Sequence, residues 1–245
     1  MRALGPLAAA LVAAAACAAE VPSPMEASAA AGSVLFVGNS LTAANELHHR
    51  YEEVSAAAGR RVPAAAVTSG GFSLLDHWND GRALRAIRRG GWSLVVLQQG
   101  PSTLSASREE LTRMAQRFGE EIRRAGARPA LLMAWPLPGQ TFEAVSASYR
   151  AAAAATGSLL IPAGDAFAAA LRREAGLPLF AADRFHPAPL GSYLAAMAVQ
   201  CAREPGARPV LPPQAESLGV RLTSSQQQLL GEAACPDASP ARGMH

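Results

Sequence analysis

Serine, histidine and aspartate stand in this chain where they could carry out hydrolysis. Ser40 lies in Gly38-Asn39-Ser40-Leu41-Thr42, directly after the apolar run Val34-Leu35-Phe36-Val37. Asp183 and His186 are three apart in Asp183-Arg184-Phe185-His186-Pro187, ahead of a helical pattern, so they can share one turn and face one cleft. Nucleophilic hydrolysis needs a hydroxyl, a base to take its proton, a carboxylate to orient that base, and donors for the oxyanion. Those groups are present in kind. Ser69-Gly70-Gly71-Phe72-Ser73 and Gln98-Gln99-Gly100-Pro101-Ser102 add polar segments that could supply donors. Taken singly, each residue has a plainer use: Ser40 and Asp183 as helix caps, His186 as a packed ring, Gly70 and Gly71 as turn residues.

The elements around these residues alternate strand and helix. Strands are expected at 33–37, 62–67, 92–97, 130–135 and 159–162, each an apolar run too short for a helix. Helices are expected at 43–59, where Leu47, Tyr51, Val54 and Ala58 share a face, near 82–89, at 107–126 with Leu111, Met114, Phe118 and Ile122 on one stripe, and at 142–156, 165–175 and 188–203. The stretch after the second strand, with His77 in it and running through Trp78-Asn79-Asp80-Gly81, reads as loop. This rhythm predicts an α/β fold of three α/β/α layers, with a parallel sheet of about five strands in the flavodoxin-like order 2-1-3-4-5. In that order the loops after strands 1, 2 and 3 converge at the carboxyl edge of the sheet, where open α/β sheets bind ligands.

The four polar segments resemble the blocks of the SGNH hydrolase superfamily, the GDSL-type esterases and lipases. Gly38-Asn39-Ser40-Leu41 is similar to the Gly-Asp-Ser-Leu block, with Asn in place of Asp. Gly71-Phe72-Ser73 resembles the glycine block, and Asp183-Arg184-Phe185-His186 the Asp-x-x-His block. The resemblance spans 33–203 and implies Ser40 as nucleophile, His186 as general base and Asp183 as the group that fixes the imidazole tautomer. It also implies the N–H groups of Ser40 and Gly71 as oxyanion donors. The family's third donor is usually an Asn, and here Ser102 falls at that place. Branches acting on acetylated sugars carry a Gln nearby, so Gln98 or Gln99 is expected to supply the amide. Strand parity, which aims Gln98 with Val96, favours Gln98. Asn39, His77 and Trp135 are candidates to line the substrate pocket, with packing as the other reading of His77 and Trp135.

The implied activity is a serine esterase using no metal or cofactor, acting on small-molecule or carbohydrate esters. A non-catalytic glycan-binding protein and an acyltransferase are the alternatives on the same fold. His48-His49 are adjacent, so on a helix they point about 100° apart, with no third ligand near; they are expected on a solvated face. All 22 basic residues are Arg, which excludes a phosphate-binding P-loop with its lysine. A net charge of +3 is too small to argue for nucleic acid.

Residues 1–19 read as a signal peptide: Met1-Arg2, an apolar stretch and small residues near a cut. Cys17 after Ala14-Ala15-Ala16 offers lipidation as a second reading, and only then would a membrane be a partner. Residues 20–32 read as a disordered leader, 33–204 as the hydrolase domain, and 205–245 as a Pro-rich tail with a short helix. Export, to the periplasm or outside the cell, makes Cys201 and Cys235 a candidate disulfide.

Overall fold

The computed structural model describes residues 32–236. The expected signal peptide, nearly all of the leader, Cys17 and the end of the tail lie outside these described residues. Five parallel strands form one sheet in the order β2-β1-β3-β4-β5: β1 Ser33–Gly38, β2 Ala64–Thr68, β3 Trp92–Leu97, β4 Arg128–Leu132 and β5 Leu159–Ile161. Every residue of β1 is buried, as a strand covered on both faces must be, which is why it reads as a continuous apolar run. The fold is the expected three-layer α/β/α arrangement.

Register positions the chemistry. Gly38 pairs with Thr68, and Val37 with Leu97. The three strands therefore end at one level, and Ser40, Gly71 and Gln98 leave the sheet along the same edge. Two main-chain bonds extend the alignment past the strands, Gln98 N–H to the Val37 carbonyl at 2.8 Å and Ser69 N–H to the Gly38 carbonyl at 3.2 Å.

The helices are α1 Ser40–Ala43, α2 Leu47–Ala57, α3 Leu74–Asp80, α4 Arg82–Arg89, α5 Ser105–Arg124, α6 Phe142–Thr156, α7 Ala163–Arg173, α8 Pro189–Arg203 and α9 Ser224–Ala234. α2 packs on α8, and α8 on α7 and α9; α3, α4, α5 and α6 pack on one another as the other layer. α5 buries Leu111, Met114, Ala115, Phe118 and Ile122, the stripe expected from its spacing. The disulfide joins Cys201 of α8 to Cys235, just past α9, with 5.6 Å between Cα atoms, and ties the tail helix to the body.

Two expectations are corrected. The single helix at 43–59 is broken: Asn45 and Glu46 have φ of 52° and 53°, so α1 ends, a 3-10 turn spans Ala44–Glu46, and α2 starts in a new direction. The stretch through residue 81 is not all loop, because α3 spans Leu74–Asp80. Its start is set by a capping box, in which the Ser73 side chain accepts from Asp76 N–H and the Asp76 carboxylate accepts from Ser73 N–H. Its stop is Gly81 at φ 78°.

Candidate active site

Ser40 is the first residue of α1, half-buried where β1 turns sharply. Asn39 caps that turn, its side-chain oxygen accepting from Leu41 N–H at 3.1 Å. The Ser40 hydroxyl lies 2.9 Å from His186 Nε2, across 146 residues of chain. His186 Nδ1 lies 2.5 Å from Asp183 Oδ2. Asp183 Oδ1 accepts the main-chain N–H groups of Phe185 at 3.0 Å and His186 at 2.9 Å. Arg184, at φ 60°, makes the tight turn between them.

The electrostatics assign the tautomer. The His186 side chain, followed by the Phe185 and His186 N–H groups, holds the Asp183 carboxyl down to about 2. Asp183 is thus ionised at neutral pH and can only accept, so Nδ1 carries the ring proton. Nε2 is then a lone-pair acceptor aimed at the Ser40 hydroxyl. A proton can pass from Ser40 to His186 while the carboxylate steadies the imidazolium.

The main-chain N–H groups of Ser40 and Gly71 make no hydrogen bond among the described residues. Gly71, at φ 74°, sits in the left-handed region that favours glycine. Beside them opens a cleft of about 340 Å³, lined by Asn39, Gly71, Gln99, Ser102, Leu104 and Leu137 among others.

Gln98 is placed differently from the expectation that it would donate to the oxyanion. It is 2% exposed. Its oxygen accepts from Asn39 N–H at 3.1 Å and from the Thr42 hydroxyl at 2.8 Å, and its nitrogen donates to the Gln99 carbonyl at 2.6 Å. The amide thus braces the Ser40 turn from beneath. A Cβ at Gly38 would collide with this same oxygen and with Thr42 Oγ1, so glycine is needed there. Gln99 is also committed, its oxygen to Leu74 N–H at 3.0 Å and its nitrogen to the Ser102 hydroxyl at 3.1 Å. Neither Gln presents an amide free of internal partners.

His77 and Trp135 do not line the cleft, and their pocket role is corrected to bracing. His77 is fully buried and donates through Nε2 to the Gly38 carbonyl at 2.9 Å, just before the Ser40 turn. Its Nδ1 is buried without a partner. Trp135, 2% exposed, stacks on Phe167 and donates to the Phe185 carbonyl at 2.7 Å, just before His186. Each uses its one N–H to hold the backbone close before a residue of the relay. Asn39 does line the cleft, and its amide also donates to the Phe72 carbonyl at 3.3 Å, joining the loops after β1 and β2.

Burial depresses two histidines. Desolvation, then the neighbouring His49, brings His48 down to about 4. Desolvation lowers His77 as well, against the bond to Gly38. A histidine depressed in the fold binds fewer protons than in the unfolded chain, so stability rises with pH and is lost as pH falls through the ordinary histidine range. Asp183 acts in the same direction at lower pH, its contribution vanishing as pH falls towards about 2. The melting temperature is therefore expected to fall from pH 7.5 to pH 5, and His48→Gln to flatten part of that slope. Thermal melts of both proteins across the range check this; parallel slopes would contradict it.

No family model matches the chain, and no curated protein matches it either. Solved structures do. A protein of Slackia heliotrinireducens classed with the SGNH hydrolases is 26% identical over 71% of this chain and 100% of its own, with a TM-score of 0.61. TesA is 25% identical over 71% of this chain and 98% of its own, with a TM-score of 0.52. The lipase/acylhydrolase of Enterococcus faecalis, 17% identical over 70% of this chain and 96% of its own at a TM-score of 0.53, shares the fold. With its serine, glycine and Asp-x-x-His blocks brought to one edge of that sheet, the chain belongs to the SGNH hydrolase superfamily, and its activity in general terms is that of an ester hydrolase.

Proposed function

We propose that the protein is a serine esterase working through an acyl-enzyme on small acyl esters, O-acetylated carbohydrate among them. The observation that carries this reading is the unbroken relay from the Ser40 hydroxyl to His186 at 2.9 Å and from His186 to Asp183 at 2.5 Å. Ser40 Oγ attacks the ester carbonyl as its proton moves to His186 Nε2. The oxyanion that forms is held by the N–H groups of Ser40 and Gly71. His186 then returns the proton to the leaving alcohol oxygen as the carbonyl–oxygen bond breaks, leaving Ser40 acylated. Water, losing a proton to the same nitrogen, attacks the acyl-enzyme, and collapse releases the acid and free Ser40. Each well-placed donor to the oxyanion contributes roughly 3–4 kcal/mol to the transition state.

This proposal includes export, supported by the Cys201–Cys235 bridge, since disulfides persist in oxidising compartments. The test is hydrolysis of p-nitrophenyl acetate by the purified protein, together with labelling by a fluorophosphonate. The probe should add one equivalent, found by mass spectrometry on the peptide containing Ser40. A protein that hydrolyses nothing and stays unlabelled would be the glycan-binding alternative. Label on another serine would refute Ser40 as nucleophile.

A further inference from the structure

The Ser40 turn and the His186 loop come from opposite ends of the chain, and their separation decides whether a proton can move. Three successive carbonyls of the His186 loop are held, two of them by side chains from other elements. Trp135 Nε1 donates to the Phe185 carbonyl at 2.7 Å, Ala181 N–H to the His186 carbonyl at 2.8 Å, and Asn45 Nδ2 to the Pro187 carbonyl at 2.8 Å. Of these donors, only Asn45 belongs to the segment that carries Ser40. Its amide also donates to the Ser192 hydroxyl at 2.9 Å, and Ser192 donates in turn to the Ala44 carbonyl at 3.3 Å. Both N–H groups of Asn45 thus have acceptors on the far side of the junction, and Ser192 bonds back to the near side.

The backbone is bent to allow this. Asn45 at φ 52° and ψ 22°, followed by Glu46 at φ 53°, places two residues in the left-handed region between α1 and α2. Asparagine tolerates that region better than most side chains; glutamate does so at a cost. Such strain persists where the surroundings hold it, and it concentrates at functional sites. The kink gives up helical regularity and brings one amide into reach of the loop.

We infer that Asn45 is a positioning residue that sets the distance between Ser40 and His186 by clamping the His186 loop to the Ser40 segment. The inference rests on the esterase reading of that site. It touches neither substrate nor the reacting atoms, so its effect is on geometry alone. Displacing a reacting group by about 1 Å typically costs about 10²-fold in rate.

Asn45→Gly and Asn45→Asp separate the amide from the backbone, because both replacements accept the left-handed conformation and neither donates to Pro187. Expected in both are a fall in kcat on p-nitrophenyl acetate of about 10²-fold, KM within about twofold, and a matching slowing of fluorophosphonate labelling. At least Asn45→Gly should keep a near-native melting temperature. By proton NMR, the His186 Nδ1 proton shared with Asp183 should exchange with solvent faster in the variants. Unchanged kcat together with unchanged exchange would overturn the clamp, as would a loss of activity that merely tracks unfolding. A wild-type protein inert toward the ester would sink the esterase reading, and the exchange measurement would still decide the role of Asn45.

Discussion

Ser40→Ala is expected to lower kcat on p-nitrophenyl acetate by roughly 10⁶-fold, the loss typical when the nucleophile of a linked triad is removed. The hydroxyl has one partner among the described residues, His186 Nε2. The His186 side chain is 39% exposed, so water can replace the lost contact. Ser40 also begins a helix whose cap is Asn39 and not Ser40 itself. Folding should therefore tolerate the change, with a melting temperature within about 2 °C of wild type. The measurement is a paired one, steady-state hydrolysis and a thermal melt on the same preparation. Residual activity within tenfold of wild type would mean another nucleophile and would end the proposed mechanism.

That such a residue is legible in the sequence is a matter of range. β1 and β3 are buried on both faces, and burial leaves a local signature, a continuous apolar run. The turn that follows β1 and the Asp-His spacing are also local. What escaped is set by contacts distant in sequence. Parity aims Gln98 toward the β1 turn, yet parity cannot say whether the amide passes beneath the turn or reaches the cleft above it. The Asn39 N–H and Thr42 hydroxyl, more than fifty residues away, decide that. His77 is open to two readings because its helix is too short to show a clear apolar period; the Ser73-x-x-Asp76 capping box is the signal available for α3. Asn45 gave no sign at all. Its left-handed backbone interrupts an otherwise good helical pattern, and its acceptor on Pro187 lies 142 residues on.

Asp183→Asn makes the most specific demand on the relay. The Asp183 side chain is half exposed, so its bond to His186 contributes little to folding, and the melting temperature should hardly move. Its chemistry is another matter. Two main-chain N–H groups converge on Oδ1, so an asparagine must leave its oxygen there and turn its NH2 toward His186. Nδ1 would then face a donor and have to accept. The ring proton moves to Nε2, which becomes a donor toward Ser40 and can no longer take the hydroxyl proton. A fall of about 10⁴-fold in kcat is expected, with the fluorophosphonate reaction slowed in step, since both begin with the same proton transfer. The effect should be present in mild acid as well as at neutral pH, because the wild-type carboxyl, held down to about 2, is ionised in both. If Asp183→Asn kept wild-type turnover, the carboxylate would be no more than a cap on its own loop. The base at residue 186 would then owe its tautomer to something other than the residue three places before it.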